Sequence, residues 1–217
     1  MNATPSDFEG MIFETFPVGP LQCNCCIIGD PVSKKAIVVD PGGDAMKILN
    51  TLALYDLTLV EIIHTHAHLD HILAAGELKE ATGASIHLHK EDKMLWDMVE
   101  QQCQAFNVPY TPLPDPDHWI ADDSDVGCCS GVAIHTPGHT PGSVSFWFEE
   151  QKLLIAGDTL FNRSIGRTDF PGGDFATIEK SIRERLYQLA DDATVITGHG
   201  PATTIGEEKV ENPFVTA

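Results

Sequence analysis

The chain has 217 residues, 42% of them apolar and 21% charged, a balance that fits one globular domain spanning 1–217 with a sizeable core. Its net charge of −19, from 13 basic and 32 acidic residues, excludes the basic footprint that a nucleic-acid partner needs. No apolar run approaches the roughly 18–20 residues that cross a bilayer, and MNATPSDFEG has neither the basic start nor the apolar core of a secretory signal. A cytoplasmic protein with no membrane partner is expected.

In chain order, MIFETFPVG, CNCCIIGD and KAIVVDPGGD read as strands, the last ending in a Gly-rich turn. Asp44 is placed to cap a helix over AMKILNTLALYD, with Met46, Ile48, Leu49 and Leu52 on one face. LTLVEIIHT is a strand by its β-branched content. HLDHILAAGELKEAT reads as one helix stopped by Gly83, ASIHLH as a strand, and EDKMLWDMVEQQCQAF as one helix. The stretch from Asn107 to Asp117 is Pro-rich and reads as a loop. Strands then recur near VAIHT, VSFWFEE, KLLIAGD and ATVITG, with a helix over ATIEKSIRERLYQLA. Thr204 and Glu207 have the spacing of a capping box. Mixed hairpins and crossovers argue for two sheets with helices on their outer faces, and strands in both halves end at polar clusters, which places those clusters along one rim.

Six cysteines, Cys23, Cys25, Cys26, Cys103, Cys128 and Cys129, include two directly adjacent pairs and no C-x-x-C pair. Reduced thiols are expected, with Cys23 and Cys25 as small buried strand residues rather than soft-metal ligands.

The chemistry is concentrated in HTHAHLDH, His64 to His71. His66 and His68 are two apart, a spacing that points both imidazoles the same way in an extended segment. Asp70 and His71 start the next helix. Three later strands each deliver one donor into a Gly- or Pro-shaped turn: His139 in HTPGHTPGS, Asp158 in LLIAGDTLF and His199 in VITGHGP. His64, His135, His87, His89 and His118 read as strand or packing residues. Seven donors, His66, His68, Asp70, His71, His139, Asp158 and His199, are too many for one tetrahedral zinc and suit two metals with Asp158 shared. Imidazole and carboxylate ligands suit zinc, iron or manganese.

HTHAHLDH, PGHTPGS, GDTLF and GHGP, in that order, resemble the metallo-β-lactamase fold superfamily, and within it the compact bacterial type of glyoxalase II-like (hydroxyacylglutathione hydrolase-like) hydrolase. The resemblance runs from about Cys25 to His199. It implies an α/β fold, a four-layer αββα sandwich of two mixed β-sheets with helices on both outer faces. It implies His66, His68 and His139 on one metal, Asp70, His71 and His199 on a second, and Asp158 between them. The activity it implies is hydrolysis of a small-molecule thioester such as S-lactoylglutathione by a hydroxide shared between the metals, most simply two zinc ions. It also implies that Asp70 orients the hydroxide and that neither Ser nor Cys serves as nucleophile.

The loop SIGRTDFPGGD follows Asp158. In glyoxalase II enzymes this loop presents a cation to a glutathione carboxylate, and Arg167 matches by place and charge. The alternative is a structural arginine paired with Asp169 or Asp174. Asn162 and Arg163 are further candidates for the mouth. The chain departs from glutathione-specific members in two ways: Thr168, Asp169 and Phe170 replace a Phe-Tyr pair, and the short segment after His199 contributes one lysine, Lys209. Rival readings are a mononuclear-iron persulfide dioxygenase using His66, His139 and Asp158, a β-lactam or lactone hydrolase, and a non-enzymatic metal-binding module. Nuclease members are disfavoured by the charge.

Overall fold

The structure is a computed structural model that describes residues 8–216. Most of the N-terminal stretch read as lacking a secretory signal, residues 1–7, lies outside the described residues. The first half runs β1 (Ile12–Val18), β2 (Cys23–Gly29), β3 (Lys35–Val39), α1 (Ala45–Leu54), β4 (Thr58–Ile63), α2 (Leu69–Ile72), α3 (Ala75–Thr82), β5 (Ser85–His89), a 3₁₀ turn (Lys90–Asp92), α4 (Lys93–Asp97), α5 (Val99–Phe106) and β6 (His118–Ile120). The second runs β7 (Asp125–Val126), β8 (Gly131–His135), β9 (Val144–Phe148), β10 (Leu153–Gly157), β11 (Leu160–Phe161), β12 (Ser164–Ile165), α6 (Phe175–Glu184), β13 (Thr194–Thr197), β14 (Thr203–Thr204) and α7 (Ile205–Glu211).

One sheet has the order β1-β2-β3-β4-β5-β6 and the other β14-β13-β10-β9-β8-β7. Both are mixed. β1 to β3 pair antiparallel and β3 to β6 parallel. In the second sheet β10 and β13 are the parallel pair.

The two-residue period of a strand explains why the apolar runs are continuous. Cys25 and Ile27 of β2, with Ala36 and Val38 of β3, face a core closed by Ile48, Leu52, Leu78 and Leu95 from the helices. Their neighbours Cys26, Ile28, Ile37 and Val39 face the other way and meet Phe146, Phe148, Leu153 and Ile155 between the sheets. On the far side, Leu154, Ala156 and Val195 pack under Ile178, Ile182 and Ile205 of α6 and α7. The layers are therefore helix, sheet, sheet, helix, as expected. Each fully buried Ile, Leu or Phe contributes on the order of 1.5–3 kcal/mol of transfer free energy.

Several local expectations need correction. Met46 is 67% exposed, so the buried face of α1 is Ala45, Ile48 and Leu52. Asp44 does not cap that helix. Its backbone is left-handed (φ 53°), and its carboxylate turns instead to accept the Gly19 N–H at 2.9 Å. HLDHILAAGELKEAT is two helices, because the Ala74 N–H is drawn to the Pro41 carbonyl (2.9 Å), although α3 does stop at left-handed Gly83 as expected. EDKMLWDMVEQQCQAF divides into a 3₁₀ turn and two helices that break at Met98. The Thr204 hydroxyl accepts the Glu207 N–H and caps α7.

The polar clusters do share a rim. Asp40 follows β3, HTHAHLDH follows β4, His139 follows β8, Asp158 follows β10, and His199 lies just beyond β13. No helix among the described residues is long and apolar enough to cross a membrane.

Candidate metal centre

Beyond Ile63 the chain leaves β4 in an extended segment and re-enters helix at Leu69. His68 is the residue before that helix, extended at φ −75° and ψ 148°, and its side chain makes no capping bond. Its imidazole is thereby free to point with His66. The turn is pressed against the loop after β3, where Gly42 abuts the Asp70 carbonyl with no room for a Cβ. His64 is buried, with Nδ1 3.0 Å from the His71 carbonyl and its ring edge-on to Trp96, so it is structural as expected.

The fold brings all seven predicted donors together. His68 Nδ1 lies 3.1 Å from His66 Nε2 and 2.9 Å from His139 Nε2. The three rings are nearly perpendicular in pairs, at 88°, 81° and 80°. Three imidazole nitrogens aimed at one point from three planes cannot satisfy one another by hydrogen bonding, since each neutral ring has one donor and one acceptor. Burial, followed by the surrounding histidines, pushes the His68 pKa down to about 3 and that of His66 well below its ordinary value. Their rings are neutral and hold lone pairs.

The second group adjoins the first. His71 Nε2 lies 3.6 Å from Asp70 Oδ2 and 3.5 Å from Asp158 Oδ1, and His199 Nε2 lies 3.0 Å from Asp70 and 3.9 Å from Asp158 Oδ1. Asp158 Oδ2 points the other way, 3.6 Å from His139 Nε2. One carboxylate thus spans both groups. It is held close by Gly198, where a Cβ would collide with Asp158 Oδ1. Burial disfavours the Asp70 charge, but His71 and His199 outweigh it and hold the carboxyl well below the usual range. For His71, burial is likewise outweighed by its neighbours Cys23, Asp70, Asp40 and Asp158, and its pKa lies well above the ordinary value.

Four residues that organise this centre are not apparent from the sequence pattern. Asp40 Oδ2 faces His71 Nδ1 at 2.9 Å and accepts the Thr65 hydroxyl at 2.6 Å; Thr65 in turn contacts His66 Nδ1 at 3.0 Å. These bonds leave the Nε2 atoms of His66 and His71 facing the centre. Asp92, fully buried, accepts the Ala67 N–H (2.9 Å), the Thr140 hydroxyl (2.8 Å) and the Gly142 N–H (2.6 Å). It joins the HTHAH segment to the His139 loop. Gln102 accepts the Leu69 N–H at 3.0 Å and donates to the Ala67 carbonyl at 3.1 Å. Asp40 carried a readable signal, an acid at a buried strand end before Pro-Gly-Gly; Asp92 and Gln102 carried none. Cys23 lies 3.4 Å from His71 Nδ1, and burial pushes its thiol up to about 12, so it packs as a neutral group. All six cysteines are free.

At the mouth, the Arg167 carbonyl lies 2.7 Å from His139 Nδ1. Its guanidinium forms a fork with Asp169 (2.7 and 2.6 Å) and lies over Phe170, 3.7 Å from the ring centre. Phe170 in turn is edge-on to His68 at 5.6 Å and to Phe106 at 6.3 Å. Asp174 is not the arginine's partner; it caps α6. Asn162 lies on the β11–β12 turn and reaches the Ala202 carbonyl at 3.5 Å. Arg163 turns away from the mouth to pair with Glu211, and Lys209 pairs with Asp191.

The donor set fits divalent cations. Two of its buried atoms, His71 Nε2 and Asp158 Oδ1, have no hydrogen-bond partner. Ligand atoms of His66, His68 and His139, of His66, His71 and Asp158, and of Asp70, His71 and His199 each converge within 4.8 Å.

A family model described as the metallo-beta-lactamase superfamily matches residues 18–199. The chain is similar to hydroxyacylglutathione hydrolase GloC of Haemophilus influenzae, 41% identical over 211 residues that cover 95% of this chain and 99% of the relative. Among solved structures it is similar to the BLEG-1 B3 metallo-beta-lactamase, with 35% identity, a TM-score of 0.87, and coverage of 94% of this chain and 100% of that one. It is also similar to TTHA1623 in a di-iron-bound form, with 32% identity, a TM-score of 0.86, and coverage of 93% and 100%.

Proposed function

Because the chain belongs to the metallo-β-lactamase superfamily, we propose that it is a dinuclear metal-dependent hydrolase of thioesters, acting on S-lactoylglutathione-like substrates in the manner of glyoxalase II. The observation that carries this reading is Asp158, whose two oxygens approach His139 on one side and His71 on the other. His66, His68 and His139 would hold one divalent ion and Asp70, His71 and His199 the other, with Asp158 shared. Zinc suits this set of imidazoles and carboxylates, and iron is the alternative, given the di-iron form of TTHA1623. The 41% identity to a hydroxyacylglutathione hydrolase supports the thioester as substrate.

When bound, the two ions supply a water of lowered pKa and polarise the scissile carbonyl. Asp70, ionised, accepts a hydrogen bond from the attacking water and orients it. Asp40 and Thr65 keep the ring protons of His71 and His66 on Nδ1, so the Nε2 lone pairs face inward. Phe170 and Phe106 give the mouth an apolar wall for the acyl or thiol portion. Arg167 lies beside that wall, ready for a substrate carboxylate once its fork with Asp169 opens. Asn162, on the β11–β12 turn that follows Asp158, is a second polar group offered to the substrate.

A mononuclear reading that used only His66, His139 and Asp158 would leave the buried His71 Nε2 without a function, which favours the dinuclear one. A β-lactam hydrolase is the second reading, favoured by the 35% identity to a B3 metallo-beta-lactamase. The test is hydrolysis of S-lactoylglutathione, other thioesters and a chromogenic β-lactam by protein of measured metal content. Thioester turnover that collapses in His66→Ala and Asp158→Ala supports the proposal. Turnover of the β-lactam alone supports the second reading.

A further inference from the structure

A second group of metal-type donors stands on the same rim, outside the seven. His89 ends β5 in the first sheet, His135 ends β8 in the second, and Glu91 lies in the 3₁₀ turn between β5 and α4. One ligand atom from each of the three lies within 4.8 Å of the other two. The imidazoles are stacked, with ring centres 4.2 Å apart and planes 19° from parallel. Glu91 Oε2 lies 3.9 Å from His135 Nε2, and its side chain is 58% exposed and free to swing inward. His89 Nδ1 accepts the Glu91 N–H at 3.4 Å, which places the ring proton on Nε2; a cation binding at Nε2 moves that proton to Nδ1 and gives up this long contact. His135 Nε2 now faces the Pro141 carbonyl at 2.9 Å; binding a cation there moves the ring proton to Nδ1 and releases that carbonyl. The nearby Asp122 is already engaged by the His135 N–H and by Arg185, so it does not compete for the cation.

Read from the sequence alone, these two histidines are strand residues. The fold makes them neighbours across the gap between the sheets. Two imidazoles and one carboxylate form a donor set suited to zinc, nickel or copper once one of the stacked rings turns, because each nitrogen lone pair lies in its own ring plane. The chain's charge of −19 favours cation capture at its surface.

We propose that His89, Glu91 and His135 form an accessory site for one such divalent cation, which ties the first sheet to the second beside the hydrolytic centre. Glu91 precedes Asp92, and His135 lies at the base of the His139 loop. The accessory cation would therefore tie the turn that carries Asp92 to the base of the His139 loop, which Asp92 itself reaches from inside.

The test is calorimetric titration of zinc into zinc-loaded, dialysed protein, comparing the wild type with His89→Gln, His135→Gln and Glu91→Gln. The wild type is expected to take up one more equivalent than either histidine variant, and Glu91→Gln to bind it at least tenfold more weakly. Glu91 is exposed, so its variant keeps the fold even if a histidine variant does not. Equal uptake and equal affinity in the wild type and Glu91→Gln would overturn the site. The comparison is a difference between proteins that share the hydrolytic centre, so a failure of the dinuclear assignment shifts every total alike and leaves this result readable.

Discussion

Asp40 Oδ2 lies 2.9 Å from His71 Nδ1, in a pocket where the histidine is wholly buried. The contact fixes which ring nitrogen carries the proton and aims Nε2 at Asp70 and Asp158. Asp40→Asn keeps the shape but removes the charge. It is expected to weaken binding of the second metal by tenfold to a hundredfold, with the fold intact. Competition with a chromogenic chelator measures this, and unchanged affinity would show that Asp40 does not set the His71 ring.

Asp92 supports the centre from a distance. Its carboxylate accepts three bonds that join the HTHAH segment to the His139 loop, and hydrogen bonds to a charged group contribute about 1.5–3 kcal/mol each. Asp92→Ala is expected to lower stability by about 3 kcal/mol and to lower metal retention. Asp92→Asn, which turns an NH₂ group toward backbone donors, should rescue little. Urea unfolding together with metal analysis checks both. Full metal retention in Asp92→Ala would leave the residue a purely structural role.

Acid should empty the two halves of the centre unequally. In the metal-free protein the His71 and His199 pKa values lie above the ordinary histidine value, because nearby carboxylates outweigh burial. A cation must displace those protons, so affinity at Asp70, His71 and His199 falls as pH drops through the raised values. His66 and His68 have lowered pKa values, that of His68 about 3, and bind no competing proton over the same range. Dialysis at stepwise lower pH should release one equivalent before the other. Simultaneous release would contradict the asymmetry.

The Arg167 fork is an exposed pair with Asp169, and it decides whether the arginine can meet a substrate carboxylate. Arg167→Ala is expected to raise KM several-fold with a smaller loss of kcat, and Asp169→Ala, which frees the fork, to lower KM. Steady-state kinetics on S-lactoylglutathione decide this. An unchanged KM in both variants removes Arg167 from the substrate site.

The seven donors were legible in the sequence because each ends or follows an apolar strand and sits in a turn shaped by glycine or proline, or by the His-x-His spacing itself. Asp40 has the same signature, a buried strand end before Pro-Gly-Gly, but that pattern by itself specifies only a turn. Asp92 was not legible. It lies in the ordinary run HKEDK, and its partners are backbone groups of the Ala67 and Gly142 segments, which only the fold brings to it. The breaks in two long helical patterns were hidden for the same reason. Ala74 is a good helix residue locally, but its N–H goes to the Pro41 carbonyl, and nothing in the local pattern marks the other break, at Met98. The pairing of His89 with His135 crosses from one sheet to the other, beyond any local pattern.

If Asp158 joins two metal sites into one hydrolytic centre, turnover needs both metals. The most direct test is the rate of S-lactoylglutathione hydrolysis as zinc is returned stepwise to metal-stripped protein, in the Glu91→Gln background to keep the accessory site out of the count. The rate is expected to reach its plateau at two equivalents. A plateau at one equivalent, or no thioester hydrolysis with both equivalents bound, would contradict it.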